Sequence, residues 1–147
     1  MNILALDASN KCGFAHTNGE SGVWEYKKKK TDSPGAKWIV FMARLRDMLR
    51  KNPTDLVAYE QPHNRGGAAT HSGHGYVTCI EYVCSGLGVQ VESYHSATIK
   101  KHATGKGKAS KQEMVDACRD RLGIEPQDDN EADALWIREL AAHLQSG

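Results

Sequence analysis

Short apolar runs that end in an acid occur at two places along the chain. Residues 3–6 run directly into Asp7, and residues 56–59 run directly into Glu60. Uninterrupted apolar runs of this length are typical of strands that are buried on both faces of a sheet. The pattern therefore predicts two buried strands, each with a carboxylate where the strand ends.

The remaining periodicity predicts three further strands and five helices. The strands are expected at residues 12–17, 22–27 and 89–94, with a hairpin turn at 18–21. Ser33 is predicted to cap the first helix, with Pro34 at its first position and Asn52-Pro53 at its end. The other helices are expected at 68–86, 96–103, 110–122 (with Ser110 and Glu113 as a capping box) and 128–144. This order predicts a mixed α/β sheet, three antiparallel strands followed by parallel ones, with helices on both faces.

Composition is that of one globular domain spanning residues 1–147. Hydrophobic residues make up 39% of the chain, which is enough for a core, and no apolar run reaches the length of a membrane span. The first residues lack the basic leader of an export signal, so the four cysteines are expected to be reduced. We therefore expect a cytoplasmic protein.

A formal net charge of +1 conceals two lysine clusters. One is the run at residues 27–30. The other is interleaved with Gly105 and Gly107 and comprises Lys100, Lys101, Lys106, Lys108 and Lys111. Lysine runs are commonly solvated loops, but two clusters on a nearly neutral chain favour a positive face that binds a polyanion.

A third acid is expected near Asp7 and Glu60. Acids at the start of helix 128–144 are favoured by the helix dipole, which accounts for Asp128 and Asp129 but not for Asp133 among apolar neighbours. Carboxylates from two strands and a helix suit the hard cations Mg²⁺ and Mn²⁺. Two such ions about 4 Å apart can hold the attacking and leaving oxygens of a phosphodiester.

Four segments in the same order resemble the motifs of the RuvC family of Holliday-junction resolvases, which has the RNase H-like fold. The segments are Leu6-Asp7-Ala8-Ser9 with Gly13, Tyr59-Glu60-Gln61, the lysine loop ending at Lys111, and Asn130-Glu131-Ala132-Asp133-Ala134-Leu135. The resemblance covers nearly the whole chain. It implies a Mg²⁺-dependent endonuclease that cleaves branched DNA as a homodimer, in a bacterial cell or a phage-infected host, and the small size hints at a phage or mobile-element member.

The resemblance also assigns roles to the acids. Asp7 would bridge two Mg²⁺ ions, with Glu60 holding one and Asp133 the other, and Mn²⁺ would substitute. The family usually has Asp or His at the position of Asn130, so either Asn130, through its carbonyl oxygen, or Asp129 is expected to complete the site. Asp7, Glu60, Asp133 and Asn130 form the expected catalytic set.

DNA contacts are implied by the same resemblance. They are expected from Ser9, His63 and Arg65 and from the lysines at positions 100, 101, 106, 108 and 111. His63 lies where the family has an aromatic residue that wedges into the junction; a histidine can stack on a base but offers less area than phenylalanine. An ordinary loop histidine is the alternative.

Other interpretations use different parts of the chain. A zinc site built from His71, His74, Cys79 and Cys84 is disfavoured because the spacing matches no common zinc pattern. A phosphotransferase of the actin and sugar-kinase type would need a second domain around a nucleotide cleft. Binding of ATP by this protein would support that alternative. A non-catalytic DNA-binding module remains the other alternative.

The apolar residues of helix 68–86 belong either to the core or to the interface of the expected homodimer. They are Tyr76, Val77, Ile80 and Val83.

Overall fold

A five-stranded sheet in the order β3-β2-β1-β4-β5 forms the centre of the computed structural model, which describes residues 1–62 and 67–146. The strands are β1 (Ile3–Asp7), β2 (Lys11–His16), β3 (Ser21–Glu25), β4 (Leu56–Glu60) and β5 (Gln90–Tyr94). The helices are α1 (Ala36–Lys51), α2 (Gly67–Leu87), α3 (Ser96–Thr104), α4 (Lys111–Ala117) and α5 (Asp129–Ser146). This confirms the predicted fold class.

The pairing of strands sends four strand ends to one edge of the sheet. β2 is antiparallel to both β1 and β3, whereas β4 is parallel to β1 and to β5. Consequently β3, β1, β4 and β5 all finish at the same edge, which we call the carboxyl edge. Loops that follow these four strands are therefore neighbours in space.

Near the strand ends that carry the acids, the two faces of the sheet differ in side-chain size. One face carries Leu4, Leu6 and Tyr59, which pack against α1 and α2. The other carries Ala5 and Ala58 and packs against the remaining helices, chiefly α5. Because alanine projects little beyond the backbone, α5 can lie close to the strands that end in the two acids.

The first helix starts later than the sequence pattern predicts. Its N-cap is Gly35, without a side-chain cap, so the prediction of Ser33 as cap and Pro34 as first helical residue is wrong. The N–H of Ala36 donates to the carbonyl of Ser33 at 3.1 Å, which closes a turn ahead of the helix. The Ser33 carbonyl, rather than the Ser33 hydroxyl, therefore accepts the hydrogen bond from the first N–H of the helix.

The capping box before α4 is present as predicted. The Ser110 hydroxyl accepts from the Glu113 N–H at 3.1 Å, and the Glu113 carboxylate accepts from the Ser110 N–H at 3.1 Å. The helical segment continues past Ala117 as one π-helical turn (Cys118–Leu122) and ends at Gly123, which has φ 67°. The predicted extent is thus right, although its last turn is wider than an α-helix.

Helix α2 supplies core residues rather than an exposed apolar stripe. Tyr76, Ile80 and Val83 are 0–2% exposed, so the core alternative holds for them, while Val77 is half-buried. The helices in the described part of the chain are too short or too polar to form a membrane span.

Candidate active site

Two of the predicted acids end neighbouring strands at the same level. Leu6 of β1 pairs with Tyr59 of β4, and the next residues are Asp7 and Glu60. Alternation along a strand places both acids on the same face as Ala5 and Ala58, which is the face covered by α5. The predicted side-by-side placement of the two acids is therefore what the sheet produces.

The Asp7 carboxyl lies in an environment that disfavours its charge. Burial raises the pKa of Asp7 well above its ordinary value, and the negative charges of Asp133 and Glu60 raise it further. Asp129 and Asp128 act in the same direction more weakly. Acids from β1, β4 and α5 are thus close enough to repel one another.

Asp133 is perturbed in the same way from the side of α5. Burial, together with the negative charges of Glu60 and Asp129, raises the pKa of Asp133 to about 7. Lys100 and Lys111 oppose the shift and lower the pKa of Asp133. Two members of the predicted DNA-binding cluster therefore lie near the acids as well as near the surface.

Close approach of α5 to β2 is permitted by the absence of a side chain at Gly13. Gly13 pairs with Asp7 across the antiparallel ladder. A Cβ atom at position 13 would lie 1.9 Å from the carbonyl oxygen of Asn130 and 2.4 Å from its carbonyl carbon. Only glycine fits at this distance, so Gly13 fixes how near the first turn of α5 comes to Asp7.

A buried carboxylate that the sequence analysis does not single out holds the same turn of α5. Glu131 is 7% exposed, and its oxygens accept from the Ser21 hydroxyl at 2.6 Å and from the Gln127 N–H at 2.7 Å. Asp128 accepts from the Glu131 N–H at 3.0 Å, which is a helix-capping bond. Glu131 therefore attaches the start of α5 to β3.

The turn after Asp7 is held by a tyrosine from α2. The Tyr76 hydroxyl donates to the Asn10 side-chain oxygen at 2.5 Å, and the Asn10 carbonyl accepts from the Tyr26 N–H at 2.7 Å. Ser9 donates its hydroxyl to the Lys11 carbonyl at 2.8 Å. No local sequence signal predicts the Tyr76–Asn10 contact, because the two residues are 66 positions apart.

A groove of about 500 Å³ lies beside the acids on the α2 side. Asp7, Glu60 and Ser9 line it together with Ser72 and Val77. The predicted DNA contact at Ser9 therefore faces the same space as two of the acids.

Metal binding is compatible with the chemistry of these donors. The acids offer oxygen ligands, and their mutual repulsion is the kind that a divalent cation relieves. In residues 1–62 and 67–146, however, no three His, Cys, Asp or Glu side chains are gathered so that they could hold one ion. Binding of Mg²⁺ here would therefore need the carboxylates to converge from their present positions.

The two candidates for the remaining ligand are placed differently. Asn130 donates its amide to an Asp128 oxygen at 3.2 Å. Asp129 lies 3.8 Å from the Lys111 ammonium and raises the pKa of both Asp7 and Asp133. The electrostatic coupling to the two central acids therefore involves Asp129.

The predicted DNA-binding lysines are spread around α3 and α4. Lys106 pairs with Glu113 at 3.0 Å, Lys101 and Lys108 are exposed, and Lys100 is partly buried near Asp133. His63 and Arg65 lie outside the described residues, so the wedge hypothesis remains a prediction.

The alternative zinc ligands are not brought together. Cys79 and Cys84 are buried, whereas His71 and His74 are exposed, and the His71 ring meets the edge of Trp38. Within the described ranges they form no metal-binding group.

Comparison with solved structures identifies the fold. A structure of Thermus thermophilus RuvC matches with a TM-score of 0.77 at 20% identity, covering 99% of this chain and 97% of that one. T. thermophilus RuvC in complex with Holliday junction substrate matches with a TM-score of 0.80 at 21% identity, with the same coverage. No protein-family model and no curated protein sequence matches the chain. The resemblance seen in the four motifs is therefore confirmed in the architecture: the chain has a RuvC-like fold.

Proposed function

We propose that this protein is a divalent-metal-dependent endonuclease that cleaves branched DNA. The observation that carries the proposal is the placement of Asp7, Glu60 and Asp133 near one another within a RuvC-like fold, where the charge of Glu60 raises the pKa of both aspartates. One of the matching structures is a RuvC protein in complex with a Holliday junction, which supports branched DNA as the substrate class.

Each acid has a role that follows from its place. Asp7 would share bound ions with Glu60 and Asp133, whose charges both raise its pKa, and Asp129 would complete the set because it raises the pKa of both Asp7 and Asp133. When bound, Mg²⁺ or Mn²⁺ would lower the pKa of an attacking water and stabilise charge on the leaving oxygen. Lys100 and Lys111 would hold phosphates beside the acids.

A cleavage assay on a labelled four-way junction tests the proposal. The wild-type protein should nick the junction in Mg²⁺ or Mn²⁺ and not in chelator, and Asp7→Asn should lose at least about 100-fold in rate, as expected for a residue that organises the reacting groups. Binding without cleavage in either metal would instead support a non-catalytic DNA-binding module. Calorimetric titration with Mg²⁺ in the absence of DNA measures metal binding separately.

The identity of the last ligand can be tested with two matched substitutions. Asp129→Asn replaces one carboxylate oxygen with an amide nitrogen and removes the negative charge. Asn130→Ala, at the adjacent position, removes the side-chain amide and its carbonyl oxygen. If Asp129 is the ligand, Asp129→Asn should raise the Mg²⁺ concentration needed for half-maximal cleavage, whereas Asn130→Ala should leave it near the wild-type value. The reverse result would assign the role to Asn130.

The proposed assembly is a homodimer, because a four-way junction presents two symmetric cleavage points. Large apolar side chains remain exposed on the α1 and α2 side: Ile39 is 67% exposed and Tyr82 is 66% exposed, with the Arg46 guanidinium over the Tyr82 ring. Tyrosine and arginine are enriched where binding energy concentrates in interfaces. Light scattering should give twice the monomer mass, and Tyr82→Glu should shift the protein towards monomer.

A further inference from the structure

The lysine run at positions 27–30 leaves the sheet at the same edge as the acids. It follows β3, and β3 ends at the carboxyl edge together with β1 and β4, which carry Asp7 and Glu60. In the strand order β3 and β5 are the outer strands, with the acid-bearing strands between them. The run therefore lies on one side of the acids, and Lys100, in the helix after β5, lies on the other.

Hydrogen bonds at both ends fix the backbone of this run. The Tyr26 N–H donates to the Asn10 carbonyl at 2.7 Å, which joins the start of the run to the turn beside Asp7. At the other end Asp32 accepts from the Tyr26 hydroxyl at 2.6 Å and from the Lys29 N–H at 2.9 Å. A short loop closed in this way holds its side chains at a defined place.

The ammonium groups of the run are available to a partner. All four lysines are exposed, and the nearest described ion pair joins Lys27 to Glu25 at 3.9 Å. Asp32, the acid within the loop, accepts hydrogen bonds from the Tyr26 hydroxyl and the Lys29 N–H at one carboxylate oxygen. Lys28 and Lys30 form no ion pair with any described residue within 4.0 Å.

Spacing relates the run to a nucleic-acid strand. β3 is two positions from β1 in the sheet, which corresponds to about 10 Å at the usual strand separation. One strand of B-DNA advances about 3.4 Å along the helix axis per nucleotide. A DNA strand of a few nucleotides is therefore long enough to extend from the acids to the run.

We propose that the lysine run at 27–30 binds backbone phosphates of a DNA arm within a few nucleotides of the linkage at the acids, on the side of the sheet opposite Lys100. The proposal rests on the proposed function, since it takes branched DNA as the ligand. It adds a second contact surface that lies outside the α3–α4 lysine cluster. Lysine contacts to phosphate position a duplex without reading its sequence, so the surface would serve any arm sequence.

Salt dependence of junction binding tests this surface. The protein is titrated against a labelled four-way junction in chelator, so that no cleavage occurs, at several salt concentrations. Lys28→Gln/Lys30→Gln is compared with Arg50→Gln/Lys51→Gln, a matched loss of two exposed positive charges at the end of α1. That control lies at the opposite edge, where Asn52 after α1 bonds to Asn18 of the β2–β3 turn at 2.9 Å. Thermal melts establish that both variants are folded.

Two lost phosphate contacts should make the slope of log K against log salt shallower by about 1.8, because each contact contributes about 0.9. Affinity at 0.1 M salt should fall about tenfold or more, while the α1 control keeps the wild-type slope. Equal slopes for the two variants would overturn the proposal and leave the function intact. Failure of the wild-type protein to bind any branched DNA would overturn the proposed function, and this inference with it.

Discussion

Replacement of Gly13 by alanine is the sharpest test of how the fold builds the site. The added Cβ would lie 1.9 Å from the Asn130 carbonyl oxygen, whereas ordinary contact needs about 3.5 Å. The first turn of α5 would therefore have to retreat by about 1.5 Å from β2. Because the obstacle is backbone in a helix held by Glu131, no side-chain rotation can relieve it.

The expected cost is large for a single methyl group. Overpacking of a core usually costs about 1–3 kcal/mol, and a clash with backbone belongs at the upper end. For a chain of this size about 3 kcal/mol corresponds to a fall in Tm of roughly 10 °C. Displacement of Asp133 from Asp7 by about 1 Å should also reduce junction cleavage by about 100-fold.

Gly22→Ala is the matched control for Gly13→Ala. Gly22 is also a strand glycine, but its added Cβ would meet the half-buried Phe14 ring at 3.1 Å and 3.3 Å, and a side chain can shift more readily than helix backbone. Its Tm should stay within a few degrees of wild type, with cleavage retained. A Gly13→Ala protein with wild-type Tm and cleavage rate would refute the claim that Gly13 sets the distance between α5 and the acids.

Three further predictions address charge and positioning. Asp7→Asn should raise the metal-free stability at pH 8, seen as a higher Tm, because burial raises the pKa of Asp7 and ionisation of a buried carboxyl opposes folding; a lower Tm would contradict this. Burial of His16 lowers its pKa below 6.5, so the folded protein favours the neutral imidazole. The contribution of His16 to stability is therefore complete above pH 6.5 and is lost as the pH falls through the lowered pKa. His16→Asn should accordingly flatten the decline in Tm between about pH 7 and pH 5. Tyr76→Phe removes the hydroxyl that holds Asn10 and should lower the cleavage rate about tenfold with little change in Tm; an unchanged rate would show that this bond does not position the turn.

The sequence predicts the site best where the signal is local or follows from topology. An apolar run that ends in an acid specifies a buried strand and its polar end, and parallel pairing then brings Asp7 and Glu60 together. The Ser110–Glu113 box is likewise complete within four residues. In both cases the interacting groups are either adjacent in sequence or related by the order of strands.

The sequence does not predict contacts between elements that are far apart along the chain. Tyr76 and Asn10 are each unremarkable in their own segments, and their bond depends on how α2 crosses the sheet. Glu131 looks like a surface acid in a helical first turn, yet Ser21, 110 positions away, accounts for its burial. The sequence predicts the start of α1 too early for a related reason, because Ser33 accepts through its carbonyl rather than through the hydroxyl that capping statistics favour.

A lysine that forms an ion pair with one of the acids cannot at the same time bind a DNA phosphate with the same ammonium group. Lys111 pairs with Asp129, and the Lys111 side chain is 86% exposed, so water and salt weaken this ion pair. A phosphate that approached Lys111 without a cation present would compete with the Asp129 carboxylate for the same ammonium. A bound divalent ion that engaged Asp129 would release the lysine to the phosphate. The lysine run at 27–30 lies away from the acids and needs no such release, so an arm would be held there before metal completes the site.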